Sequence, residues 1–333
     1  MKPATSDKPA CRFCGCTELH ETIGPIFRCG AYYSVLYCRR CNIGMTWPQP
    51  DVATLEELYA PGQYRVDGGK RFIAPVELLF EQHKKGLIPR FSSNMKPGRM
   101  LDVGCGSGFL ASLFAQAGWT VTGVEFNDET AVHARETYNI SVVTDISYVT
   151  GYFDLIVVNH VLEHHFEPEL LLKECLRLLN PAGRLIVAVP NFSSFQSRIG
   201  SKNWFHLDFP THLYHFTDQG LVNLLIKSGF TVINRSNADW VQNFYGWLQT
   251  LLNLVGLDHN ALYNFLRMKH RAKKWPSAAI ILSLFSCLWA IPTSLLGMFV
   301  ERLFRTGGVI RCTAVPDQSH QQGSNNADNR TTP

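Results

Sequence analysis

Met100-Leu101-Asp102-Val103-Gly104-Cys105-Gly106-Ser107-Gly108-Phe109-Leu110 is the stretch whose reading decides the fold. It opens as a short apolar run, the pattern of a buried parallel strand. It then turns through glycines at alternate positions and enters the helical pattern Leu110–Ala115. Glycine in such a turn permits positive φ and lets a ligand lie on the main chain. The helix that follows offers unpaired N–H groups and a positive dipole end. A dinucleotide fingerprint needs a further glycine or alanine where Phe109 stands, so the spacing excludes that reading.

Gly-x-Gly-x-Gly after an acid-bearing strand resembles motif I of the class I S-adenosylmethionine (SAM) methyltransferases. The companion segments follow in order. Val121–Glu125 is a second strand ending in an acid, 21 residues after Gly104, the distance at which an acid on the neighbouring strand tip reaches ribose hydroxyls. Ile140–Asp145 reads as a third strand, its acid placed for the adenine amino group. Asp154–His164 resembles the family's fourth strand and post-strand turn, and Pro181–Asn191 its "Pro-Gly-Gly, strand, Pro-Asn" fifth. Strand and helix alternate, as in a doubly wound parallel sheet. Phe230 and its neighbours form a sixth strand, and Gly308–Val315 the returning seventh. The expected fold is therefore α/β, a Rossmann-like seven-stranded sheet with a four-cysteine zinc ribbon in front and a helical apolar insertion before the last strand. The resemblance implies cofactor contacts at Asp102, Gly104, Gly106, Gly108, Glu125, Asp145 and Asn159.

Cys11-x-x-Cys14 and Cys38-x-x-Cys41 are two knuckles that together supply the four thiolates of a closed structural Zn2+ site. Four buried or redox-active cysteines are the alternative. Gly15 and Gly44 are expected to make the tight turns after the knuckles, and Cys16 and Cys29 to be bystanders. The knuckles, Trp47-Pro48-Gln49-Pro50 and the Tyr64 segment resemble the zinc-ribbon front end of many bacterial methyltransferases. There, a tyrosine folds over the cofactor; Tyr64 is the candidate, or else an anchor for the linker.

Two histidine-rich stretches are candidates for the substrate face. The turn Asn159–Pro168 resembles the "Leu-Glu-His" turn of the ubiquinone O-methyltransferase-like group, which places Glu163 and His164 toward the transferred methyl. Histidine titrates near neutral pH and suits a base for a hydroxyl nucleophile; a structural hydrogen-bonding His164 is the other reading, with His160 and His165 as lesser candidates for the base. The stretch Trp204–Thr217 carries His206, His212 and His215 with an acid and five aromatics. It resembles a "Pro-Arg-His-Leu-x-His-Phe-Thr" signature with Thr211 in place of arginine, and His212 and His215 are expected to meet substrate. Thr217 reads as a helix cap.

The chain of 333 residues has 46% hydrophobic content and a net charge of +4, ample for a core and too mild to suggest nucleic acid. Its start has no apolar run, so no secretory signal is expected. Ten cysteines are expected to stay reduced in a cytoplasmic enzyme. An apolar stretch at 240–257 and an uncharged one at 276–300 flank a basic block, Arg267–Lys274. Gln242, Asn243, Gln249 and Asn253 weaken the first as a membrane span, and Pro292 is expected to break the second. The expectation is a monotopic or re-entrant hairpin on the inner face of the cytoplasmic membrane, against a buried helical subdomain or protein interface. The implied boundaries are 1–50 ribbon, 51–94 linker and lid helices, 95–239 SAM-binding core, 240–306 insertion, 307–315 last strand and 316–333 disordered tail. The expected activity is methyl transfer from SAM to a hydroxyl of a small or membrane-linked acceptor, a glycolipid or surface-polysaccharide intermediate or a prenylated quinone precursor. An RNA methyltransferase and a sugar C-methyltransferase are the alternatives.

Overall fold

The computed structural model describes residues 9–59, 72–255, 258–267 and 278–317. Tyr64, most of the basic block and the tail lie outside them. The chain forms two compact units: Met1–Tyr64 with Pro190–Asn223 and Asn237–Ile310, and Arg65–Val189 with Leu224–Ser236 and Arg311–Pro333. These units cut across the boundaries read from sequence. Pro190–Asn223, assigned to the core, belongs with the cysteine module, because one of its segments completes that module's sheet.

In the first unit, β1 (His20–Arg28) and β2 (Ala31–Cys38) form a hairpin closed by Cys29 and Gly30, both at positive φ. That pair of conformations matches the twist of the flanking strands. Next come β3 (Ile43–Trp47) and the short helix α1 (Val52–Tyr59). Gly44 makes no turn. It lies inside β3, where a Cβ would meet Val35 Cγ1 at 2.8 Å, so its role is close strand approach, and Asn42 at φ 59° makes the turn.

In the second unit, α2 (Ala74–Phe91) buries His83, Leu87 and Phe91 at helical spacing. The elements then alternate: β4 (Arg99–Val103), α3 (Phe109–Gln116), β5 (Thr120–Val124), α4 (Asp128–Tyr138), β6 (Ser141–Val143), β7 (Phe153–Asn159), α5 (Pro168–Leu178) and β8 (Leu179–Pro190). Helix α5 shows why such segments settle on the sheet. Leu171, Leu172, Cys175 and Leu178 form one buried stripe, and each fully buried leucine contributes about 1.5–3 kcal/mol. Asp145 falls two residues beyond β6, capping a 3-10 turn over Ile146–Tyr148.

The chain continues through α6 (Phe195–Gly200), β9 (Tyr214–Phe216) and α7 (Asp218–Lys227) to β10 (Phe230–Ser236). Strand β9 pairs antiparallel with β3 and gives the first unit's sheet the order β1-β2-β3-β9. The helices α8 (Trp240–Leu254), α9 (Ala261–Leu266) and α10 (Ala278–Phe304) precede β11 (Val309–Pro316). The large sheet has the order β10-β11-β8-β7-β4-β5-β6, with β10 and β11 antiparallel and the documented inner pairs parallel.

The apolar insertion differs from the expected hairpin in two ways. Helix α8 is packed in protein: Trp247, Leu248, Leu251 and Leu252 share a cluster with Leu262 and Ala290. Its polar residues are partnered there. Gln249 Nε2 donates to Asn253 Oδ1 (2.9 Å), and Asn253 Nδ2 donates to Asn260 Oδ1 (2.9 Å). Helix α10 is not broken by Pro292 but runs unbroken for 27 residues, about 40 Å at 1.5 Å per residue. Proline removes one N–H there, while the Thr293 and Ser294 hydroxyls donate to the Trp289 and Ala290 carbonyls within the same turn.

Candidate active site

In a doubly wound sheet, ligands lie beyond the carboxyl ends of the strands. The register places those ends side by side: Val103 pairs with Val124 and Val158, Val124 with Val143, and Asn159 with Ala188. The turn after β4 carries Gly104, Gly106 and Gly108 at φ 69°, 57° and 80°. A side chain at Gly104 would drive its Cβ into Val161 Cγ2, and one at Gly108 would meet Ala134 at 2.9 Å. Both conformation and space therefore require glycine.

Glu125, on the neighbouring tip, is buried. Its carboxylate accepts from Gly106 N–H (2.9 Å) and Asn127 N–H (3.1 Å), fixing the glycine turn to the second strand. A carboxylate has lone pairs for further donors, such as a vicinal diol. Asp102 is buried, and its Oδ2 has no hydrogen-bond partner among the described residues. Burial pushes its carboxyl up to about 7, with Glu125 adding in the same direction and Lys84 opposing. A ligand that donates to Oδ2 would remove that orphan. Asp145 is exposed and accepts from Ser147 N–H (2.7 Å), which holds its carboxyl below the usual range.

The turn after β7 holds a feature that sequence reading underweighted. Asn159 ends the strand, and His160 follows at φ 56°, a conformation that costs a non-glycine residue about 1 kcal/mol or more. His160 Nδ1 lies 3.3 Å from Glu163 Oε1, with the two side chains 22% and 1% exposed. The main-chain N–H of His160 donates to Ala188 O on β8 (2.8 Å). His164 is half-buried at the end of a 3-10 turn, its N–H bonded to Val161 O. His165 Nδ1 accepts from Glu167 N–H (3.0 Å). The signal available in sequence was a histidine directly after a strand end with an acid three residues on.

The histidines of the other stretch are pinned inside the first unit. His215 sits on β9 opposite Gly44, buried among Phe192 and Phe209 at centroid distances of 5.5 and 5.8 Å. The Thr46 hydroxyl donates its one proton to His212 O (2.5 Å), so the 3.0 Å contact to His215 Nε2 is a bond donated by the imidazole. His212 Nδ1 donates to His206 O (2.8 Å). Thr217 caps α7 through Gly220 N–H (3.0 Å) and donates to Asn42 O (2.7 Å) beside the second knuckle.

The four knuckle cysteines converge, all Sγ atoms within 4.8 Å of one another. Cys11–Cys41 and Cys14–Cys38 sulfurs are 3.8 and 3.6 Å apart. Tetrahedral zinc with bonds of about 2.3 Å requires sulfur separations of about 3.8 Å. Burial pushes the Cys11 thiol up to about 11, so a tetrathiolate there calls for a cation. Cys16 bonds Glu18 O, and Cys29 is exposed in the hairpin turn.

Strand order, glycine cradle and the acids on the first two tips define a class I methyltransferase fold with a site suited to SAM. Residues 78–235 match the family described as "Methyltransferase domain". The chain is 26% identical over 189 residues to a "probable S-adenosylmethionine-dependent methyltransferase" of Mycolicibacterium smegmatis, covering 55% of this chain and 69% of that one. It is 30% identical over 132 residues to the ubiquinone biosynthesis O-methyltransferase of Xanthomonas oryzae, covering 36% of this chain and 55% of that enzyme. The chain thus spans about half the length of that relative. Among solved structures, magnesium protoporphyrin IX methyltransferase from Synechocystis superposes with a TM-score of 0.44 at 18% identity, covering 56% of this chain and 92% of that one.

Proposed function

We propose that the protein methylates a hydroxyl on a lipid-linked or otherwise amphiphilic small acceptor at the inner face of the cytoplasmic membrane. SAM, when bound, supplies the electrophilic methyl group, and the chain supplies position and a proton acceptor. In this reading Gly104, Gly106 and Gly108 let the cofactor lie on the main chain, Asp102 accepts from it, and Glu125 takes its ribose hydroxyls. Asp145 and Asn159 border it, with Tyr64 as the lid residue. The turn Asn159–Pro168 faces the acceptor. Zn2+ on Cys11, Cys14, Cys38 and Cys41 is structural, since four protein ligands leave no open position. It holds the sheet in which His215 sits on β9, and His212 and His215 remain candidates to meet the acceptor.

The observation that carries the membrane part is the inverted face of α10. Its buried stripe is small and polar: Ser283, Ser286, Ala290, Ser294 and Glu301. Its exposed stripe is Phe285, Leu288, Leu296, Phe299 and Leu303, with Leu288 73% exposed. Glu301 fixes the helix end, accepting from Gln196 N–H (3.0 Å) and Nε2 (3.2 Å). Exposed Arg302 and Arg305 border the apolar stripe, as headgroup contacts of an interfacial helix require. Ubiquinone biosynthesis O-methyltransferases are among the relatives, which favours oxygen as the accepting atom.

Incubating the protein with methyl-labelled SAM and separated lipid, soluble and RNA extracts tests the reading. Label in a lipid fraction, as a base-stable ether, is expected, together with flotation of the protein on anionic vesicles. Label confined to RNA, or to a carbon of a soluble sugar, would replace it.

A further inference from the structure

The geometry assigns the proton-accepting role to His160, with Glu163 as its positioning residue, and takes it from His164. This assignment rests on hydroxyl methylation as the reaction.

Three observations lead there. First, position: His160 is the residue directly after β7, at the edge where the parallel strands end in register. Its neighbour Val161 fills the space over Gly104, the first glycine of the cradle. The imidazole is therefore borne one residue from the cofactor turn, whereas His164 closes the 3-10 turn beyond it. Second, conformation: the backbone holds His160 at φ 56°, a left-handed conformation that, glycine aside, asparagine, aspartate and histidine adopt most readily. The tip is nonetheless fixed by His160 N–H to Ala188 O. Third, pairing: Glu163, almost fully buried, approaches Nδ1 at 3.3 Å while the imidazole keeps 22% of its surface. A carboxylate beside Nδ1 favours the tautomer protonated there, which leaves Nε2 as the acceptor; a ring nitrogen of His164 also lies within 4.8 Å of a Glu163 oxygen, so the test must separate the two histidines.

The chemistry balances without another reactant. The acceptor hydroxyl gives its proton to His160 Nε2 as its oxygen forms a bond to the methyl carbon. The methyl–sulfur bond breaks with its electron pair left on sulfur, turning the sulfonium into a neutral thioether. The proton remains on the imidazole, whose positive charge lies against Glu163, and passes to solvent on product release. Titratable groups near the pair among the described residues include His164, within 4.8 Å of Glu163, His165 and Glu167 on the same turn, and Glu125 and Asp145 on neighbouring tips, so the pH readout must separate them.

The test pairs a spectroscopic measurement with kinetics on the full chain. Ring-nitrogen NMR of protein labelled with 15N-histidine is compared with His160→Asn, since asparagine keeps the left-handed backbone and preserves the turn. The signal missing from the variant should belong to the Nδ1-protonated tautomer, and Glu163→Gln should scramble it. With an extract-derived hydroxyl acceptor, His160→Asn should lower kcat about 10²–10⁴-fold with SAM affinity within about twofold, and should abolish the acid limb of the kcat profile. An Nε2-protonated tautomer overturns the dyad. Loss of the limb in His164→Gln but not in His160→Asn overturns the base assignment. A protein that methylates no hydroxyl at all sinks the acceptor reading and the base role with it, while the tautomer still decides the dyad.

Discussion

Two stretches of this chain concentrate histidine, and their ring nitrogens are held in different ways. In the turn after β7, His160 faces a buried carboxylate at 3.3 Å. In the stretch before α7, His215 donates to a threonine hydroxyl and His212 Nδ1 to a backbone carbonyl, while Asp208 Oδ2 lies 3.9 Å from His212 Nε2. A partner on one ring nitrogen fixes which nitrogen carries the proton and leaves the other to meet a ligand or the protein. Histidine density in sequence does not separate the two cases. What separates them is what each ring nitrogen touches.

The largest expected effect sharpens the structural side of this contrast. The second knuckle, β3 and β9 form one hydrogen-bonded system through Asn42, Thr46, Thr217 and His215. Cys38→Ser should lose zinc on elemental analysis, and protease should then cut within 204–217 as well as in the ribbon. Structural zinc binding carries roughly 10 kcal/mol or more of folding free energy in small sites, which is comparable to the whole stability of an ordinary domain. Zinc-free protein that keeps 204–217 protected would break the link.

On the catalytic side, Gly104→Ala places a Cβ against Val161 at a backbone angle alanine resists. SAM affinity by calorimetry should fall at least tenfold, or about 1.4 kcal/mol, while the ribbon retains its zinc. Asp102→Asn adds a pH signature. The folded carboxyl sits at about 7, above the unfolded value of about 3.9, so the native state binds the extra proton. Its contribution to stability is therefore lost progressively from about pH 4 to about pH 7 and is flat above. The asparagine variant should flatten that slope in the ligand-free protein, giving a stability advantage that grows across the window, yet bind SAM more weakly. An unchanged slope would show that Asp102 is not the titrating group.

Much of the catalytic unit was legible because each of its signals is local. Alternating apolar runs and helices pointed to the parallel sheet, and the G-x-G-x-G turn located the cradle before any contact was known. The cysteine knuckles were equally plain. Three things were not legible, and each depends on contacts or conformations that no local pattern announces. Pro190–Asn223 joins the cysteine unit because β9 pairs with β3 across about 170 residues, a closure whose entropic cost grows only slowly with loop length. The polar residues of α8 looked like obstacles to membrane entry, but they form a buried amide network with Asn260 and Tyr263. The His160–Glu163 pair needed a left-handed residue at the strand end, which bulky side chains seldom adopt.

The smallest expected effect on stability belongs to Leu288 on α10, a helix that carries both environments. Ala290 is fully buried in a cluster with Trp247 and Leu251, whereas Leu288, two residues earlier, is 73% exposed. A core position and a surface position so close in sequence give an internal control. Ala290→Glu buries an unpaired charge and should cost more than about 3 kcal/mol in denaturant unfolding. Leu288→Glu should change stability by less than about 0.5 kcal/mol, since an exposed leucine has little burial to lose. A paired Phe285→Glu/Leu288→Glu variant should nevertheless abolish flotation on anionic vesicles, because two carboxylates on an interfacial face oppose both the apolar insertion and the headgroup charge. If the double variant floats as the parent does, the exposed stripe is not the lipid contact. If it unfolds, the stripe is covered by protein, and a second copy of the chain becomes the partner to seek by sedimentation.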